Sequence, residues 1–476
     1  MKIIVGRLPV AILAVTALSV LALPAPAQAH GIVGKADLPI PVWLFSWAAA
    51  IVLVVSFVAL STLWLTPQLQ KPALRRLVRL PPPAEWLAGA VGVGLFVVVV
   101  YSGWFGAQVA FANFSVTFIY VIFWVGGPVA SVLFGDVFRA FSPWRTCARL
   151  LVSLFGAADR HWHPPLRYPR RLGLWPAVAG IVGFGWLELV YVLPDRDDPS
   201  TLAWLSLAYF VVMLLGMLLF GVEEWGEQAD GFGVYFGLLS KLSVFVRGSD
   251  KAIYLRRPLS GVTDLEIGPG TIAFICTIIG TTTFDGFSNG GIWRNNEPSL
   301  QSLFADLGFN PTPAQELAGS VGMVLCILLI AAVYRIGIQG VVSVSDRYDS
   351  DTLMRTFAHS LVPIGFAYVV AHYFSLLLWQ SQAMIYLASD PLGNGADIFG
   401  TSGFEINYHV ISYAAIWYVQ VAALLSGHVG GLALAHDRAL VLYKDPEEAV
   451  RSQYWMLAVM VAFTSFGLWL LSSVGT

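Results

Sequence analysis

Apolar runs of about twenty residues alternate with short polar connections from the first forty residues to the C-terminus. A run of that length matches a hydrocarbon core roughly 30 Å thick at about 1.5 Å per residue, and a helix satisfies its own backbone there. The runs predict ten spans, near 43–65, 86–105, 115–135, 173–193, 201–221, 268–284, 316–337, 356–379, 409–432 and 452–473, so the fold class is all-α, a polytopic helical membrane protein. Ahead of them, Lys2 and Arg7 precede an apolar stretch from Leu8 to Leu23, then Pro24 and Ala27-Gln28-Ala29. That order is the signature of a cleaved signal peptide at 1–29, leaving 30–476 as a single transmembrane domain that begins at His30.

Charge strengthens this picture. Twenty-two of the 27 Lys and Arg fall in, or at the edge of, the alternate connections 66–85, 136–172, 222–267, 338–355 and 433–451. Basic connections stay in the cytoplasm, so both mature termini are expected outside. With 57% hydrophobic and 12% charged residues and a mean hydropathy of +0.71, the lipid bilayer is the expected partner. The near balance of 27 basic and 29 acidic groups gives nucleic acid nothing to bind. The middle of 222–267 predicts a short amphipathic helix at the inner interface. The tripeptide DGF, at 230–232 and 285–287, hints at an inverted repeat.

The span at 356–379 carries two histidines, His359 and His372. An ionisable group in hydrocarbon is costly and usually faces a partner or a pathway. The two lie about 20 Å apart along the helix and about 220° apart around it, so they belong to different neighbourhoods. Counted from the inner ends of their spans, His372, Glu188 and Asp285 lie at about 24, 22 and 25 Å, with His409 at the outer start of the ninth span. Two imidazoles with two carboxylates can hold a divalent metal that activates water. Without metal, a His–carboxylate pair serves as a general base or proton relay. A structural hydrogen-bond network accounts for the same residues without chemistry. Near the inner face, His359, His428, His436, Glu223 and Glu224 form a second polar group, for which water-reaching interfacial roles are the plain alternative.

His30, as a new N-terminus, offers an amine and an imidazole that chelate copper, with His372 or His409 as a further ligand, although any residue can follow a signal peptide. Cys147, Cys276 and Cys326 have no metal-type or disulfide spacing. Walker, GxGxxG, HExxH and CxxCH patterns are missing, so the enzyme classes that use them receive no support.

Four segments, HGIVGKADLPIPVWLFSWAAAIVLVVSFVAL at 30–60, TTTFDGFS at 281–288, LVPIGFAYVVAHYFSLLLWQ at 361–380 and GHVGGLALAHDRAL at 427–440, resemble a family of bacterial multi-pass membrane proteins named fenitrothion hydrolases. The resemblance implies a place in the bacterial plasma membrane, a small-molecule organophosphorus triester as substrate, and a second membrane protein as a partner in degradation. On that reading His372, Asp285 and Glu188 are the expected catalytic group, with His372, His409, Asp285 and His30 as metal ligands. The alternative is a transporter or permease for metal ions or small molecules, in which the outer and inner polar groups are the two ends of one route. A third reading is a non-catalytic membrane subunit.

Overall fold

The computed structural model describes residues 42–70, 73–158, 163–192, 196–344 and 347–473. The signal-peptide expectation and His30 lie outside these residues. Helices α1 (Val42–Leu63), α2 (Pro82–Phe105), α3 (Phe114–Phe134) and α4 (Pro143–Ala158) come first, followed by α5 (Trp175–Leu189) and α6 (Pro199–Phe220). Two short helices, α7 (Val222–Gln228) and α8 (Gly231–Ser240), lead to α9 (Thr271–Ser288), α10 (Gly291–Asp306) and α11 (Pro311–Val342). The chain closes with α12 (Ser350–Gln380), α13 (Ala383–Ser389), α14 (Tyr413–Tyr443) and α15 (Tyr454–Ser473).

Among the described residues nine helices are long and apolar enough to cross a membrane. The fourth expected span is the exception. Its helix α5 has 15 residues, about 22 Å, because Pro176 opens it and the chain turns away after Leu189. It still joins the two ends of the bundle: Leu174 donates to Pro269 O at one end, and Val192 N donates to Glu316 Oε1 at the other.

The five basic connections meet at one end, called here the basic end. Strand β1 (Arg75–Arg79) pairs antiparallel with β3 (Ala252–Leu255), which also pairs with β2 (Phe245–Arg247), giving the order β1-β3-β2. Arg75 faces Leu255 and Arg79 faces Ala252, with a register shift between Arg76 and Val78. At the same end the Asp437 carboxylate, fully buried, accepts from Trp64 Nε1 (3.2 Å), Leu69 N (3.1 Å), Gln70 Nε2 (2.9 Å) and Gln68 N (2.5 Å). That fixes the chain leaving α1 against α14.

Helix α9 is the hub of the bundle, packed against α5, α11, α12 and α15. Its run Thr281-Thr282-Thr283 is buried, and each hydroxyl bonds back to a carbonyl of the preceding turn, so no polar atom is left bare there. Helices α12 and α14 approach closely through small residues. A Cβ added to Gly427 would stand 2.6 Å from Pro363 O, and one added to Gly431 would stand 2.8 Å from Ser360 O. In lipid, where apolar burial between helices gains little, such close backbone packing is what holds a pair together.

Two elements depart from regular spans. In α3, residues Phe118–Gly126 form a π-helix, a form that concentrates at functional sites. The connection 222–267, whose middle was expected to form an interfacial amphipathic helix, instead enters the bundle at 222–240 as a helical hairpin. Helix α7 runs in beside α6, with Trp225 against Gly216, and α8 returns with Phe232, Tyr235, Phe236 and Leu239 all buried. These buried rings pack α8 into the bundle, while Gly233 and Gly237 border a charged cavity, so the helix is not laid on an interface.

Candidate functional site

Asp285 sits in the last turn of α9 and faces α12. Its Oδ2 accepts from the Tyr373 hydroxyl at 2.7 Å and stands 2.9 Å from His372 Nε2, the two donors being adjacent residues whose rings cross edge to face. The His372 and Asp285 side chains are each 16% exposed. Glu188, in the final turn of α5, lies within electrostatic reach of Asp285, beside the Trp124 indole and near Tyr235. Arg196 closes this end by donating to Glu188 O at 3.3 Å. The expected grouping of His372, Asp285 and Glu188 by depth is therefore present as a neighbourhood. Tyr373 points about 100° round α12 from His372, so its depth gave no reason to group it with Asp285.

The metal expectations are overturned. Among the described residues no group of three or more His, Cys, Asp or Glu can hold a metal ion. Asp285 is occupied by His372 and Tyr373, and Glu188 lies toward Trp124 and Tyr235. His409 is exposed in the loop before α14, where its backbone N–H donates to Asn407 Oδ1. His30 lies outside the described residues, and among the described residues no ligand set remains for copper or another divalent metal.

The inner group divides among three places. His436 is buried, with Nε2 against Trp64 O at 2.9 Å and Nδ1 against Gln453 at 3.2 Å, and it helps Asp437 hold residues 64–70. His359 and His428 are buried between helices, 2% and 0% exposed, and not interfacial. Glu223 and Glu224 belong to the hairpin. There Glu223 pairs with Arg139 (2.6 Å) and Arg145 (2.7 Å), Glu227 pairs with Arg139 (2.7 Å), and Glu224 acts electrostatically on Tyr168. Burial pulls both arginines down, but Glu223 and Glu227 more than offset it for Arg139, which is raised, whereas Arg145 stays lowered.

These ion pairs line a cavity of about 1010 Å³ at the basic end, together with Lys241, Arg256 and Asp230. Asp230 is the residue the sequence reading passed over. It stands at the tip of the hairpin, about 12 Å in from Val222, and is 2% exposed. Its carboxylate accepts from Trp144 Nε1 (2.6 Å), Tyr209 Oη (2.8 Å) and Phe232 N (3.2 Å). The repeated DGF was the available signal, but the two copies do different work: Asp230 caps the start of α8, and Asp285 ends α9. That difference removes the support for an inverted repeat.

Aromatic rings stand between the cavity and the Asp285 site. Tyr209 meets Phe232 (5.2 Å between centroids), Phe232 meets Phe184 (5.2 Å), Phe184 meets Trp124 (4.7 Å), and Trp124 meets Tyr235 (5.2 Å). The series leads from the Asp230 neighbourhood to that of Glu188, and its members come from the π-helix of α3, from α5, from α6 and from the hairpin.

No family model matches this chain, and no curated protein or solved structure matches it either. Fold and site together define a polytopic, largely helical integral membrane protein with a partly buried His–Asp pair and a charged cavity at its basic end.

Proposed function

We propose that this chain is a plasma-membrane transporter for a small polar molecule, with its basic end in the cytoplasm. The cavity at that end and the Glu188–Asp285–His372 neighbourhood act as two compartments that open alternately. The observation that carries this reading is the aromatic partition between them, built on a π-helix and a helical hairpin. Irregular backbone at membrane depth is tolerated where it lines a cavity, and interrupted helices mark binding regions in transporters. Movement of the hairpin, held by the Arg139 and Arg145 ion pairs, would swing Phe232 and Tyr235 out of the partition.

The test is counterflow uptake of labelled amino acids, organic acids, sugars and amines by liposomes containing the purified chain. Uptake of at least one class, lowered about tenfold or more by Glu188→Gln, is the expected result. Vesicles that take up none of them faster than empty vesicles would overturn it.

One observation favours a second reading, hydrolysis of an organophosphorus triester, as the family resemblance implies. An imidazole oriented by a carboxylate through Nε2 has Nδ1 as its basic nitrogen and can activate water without a metal. Fenitrothion hydrolysis by the same vesicles, lost in His372→Ala and Asp285→Asn, would support it.

A further inference from the structure

Two polar atoms lie bare inside the α12–α14–α15 interface. Tyr368 is 5% exposed, and its hydroxyl has no partner among the described residues. His428 is fully buried. Its Nδ1 is 2.8 Å from Leu424 O, and because a carbonyl only accepts, Nδ1 carries the hydrogen of a neutral ring. Nε2 is then a lone-pair acceptor, and it too has no partner. The two rings are 6.4 Å apart between centroids. A donor without an acceptor thus lies beside an acceptor without a donor, each costing about 1–3 kcal/mol if left so. One water placed between them would satisfy both.

Further polar residues lie in both directions along α12. His372 is one helical turn above Tyr368 on the same face of α12, and its partner is Asp285. Below, His359 is 2% exposed with a bare Nε2, beside the backbone of Leu434, which is about 9 Å further along α14 than His428. Gly467 of α15 borders the file, since any Cβ there would meet the Tyr368 hydroxyl.

We infer that α12 and α14 carry a proton file, from Asp285–His372 through Tyr368, a bridging water and His428 to His359, separate from the solute route. In one passage, a second water carries a proton from the His372 end to the Tyr368 oxygen as the hydroxyl passes its own proton to the water on the His428 side. The water gives a proton to His428 Nε2, forming an imidazolium. Tyr368 and both waters are regenerated, and one proton has moved from His372 to His428. From Nε2 it passes through water to His359. The role assigned here rests on the transport reading, because it makes the Asp285–His372 pair the point where proton and solute movements meet.

The full chain in pyranine-loaded liposomes, with a potassium diffusion potential set by valinomycin, tests it. The parent should acidify the lumen faster than empty vesicles do, and Tyr368→Phe and His428→Asn should each slow this about tenfold or more. Tyr368→Phe loses only the hydroxyl, so an unchanged melting temperature separates lost conduction from misfolding. Parent vesicles no faster than empty ones, or both variants as fast as the parent, would overturn the file. Counterflow uptake needs no proton gradient: solute uptake without acidification sinks this inference alone, and absence of both sinks the transport reading as well.

Discussion

His372 and Asp285 meet at 2.9 Å across two helices, 87 residues apart in the chain. Tyr373 reaches the same carboxylate oxygen, so one acceptor serves two donors. Asp285→Ala would leave both unpaired and should destabilise the protein by about 1–3 kcal/mol. Asp285→Asn keeps an acceptor oxygen and should melt close to the parent, yet lose uptake about tenfold or more, because the negative charge is gone. Thermal unfolding in detergent and vesicle uptake measure the two effects. Equal melting of Ala and Asn variants would count against the shared-acceptor role.

The α12–α14 contact predicts a steric effect. Gly427→Val places its Cβ 2.6 Å from Pro363 O, an obstacle on backbone that cannot turn aside. Destabilisation of about 1–3 kcal/mol is expected. Gly403→Ala, whose Cβ would meet nothing within 4 Å, serves as the control and should unfold with the parent.

Asp437 predicts a local release. Asp437→Ala strands four donors from residues 64–70, at a cost of about 3 kcal/mol. The segment should then be cut by added protease far faster than in the parent. Asp437→Asn keeps Oδ1 for three of the four donors and should fall between. Protease resistance equal to the parent's in the Ala variant would show that other contacts hold the segment.

Lys241, half-buried in the cavity, predicts a pH effect. Burial and then the Arg256 guanidinium hold its ammonium below the ordinary lysine value. A base with a lowered folded pKa binds its proton more readily when unfolded. Its charge therefore costs stability at every pH below the folded value, and that cost fades as pH rises through the unfolded value of about 10.4. Lys241→Met should raise the melting temperature at about pH 7, with the gain vanishing near about pH 10.5. A gain of the same size at both pH values would refute this cause.

Run length and charge made most of the fold legible. Spans of twenty apolar residues have few alternatives in a chain of this composition, and the basic connections do meet at one end. The height match of His372 with Asp285 and Glu188 was legible because depth follows from counting residues along a helix. The hairpin was not, since ten apolar residues between Asp230 and Lys241 read equally well as a surface helix or a buried one. Nor was the π-helix, whose residues Phe118–Gly126 have the apolar composition of any span. The β1–β3 pairing hid in two connections, because RRLVR has no alternating pattern and every residue of it is exposed. Metal ligation was overestimated because equal depth does not bring side chains into one coordination sphere.

That small sheet orders events during synthesis. Arg75 leaves the ribosome about 180 residues before Leu255, its partner across the ladder. At roughly 5–20 residues per second, β1 waits some 10–35 s with its backbone unpaired while α2 through α8 are made. Docking of β1 is therefore a late step, and a chain truncated before residue 252 can fill the bilayer with helices yet keep the junction of its first two spans open to proteases and chaperones.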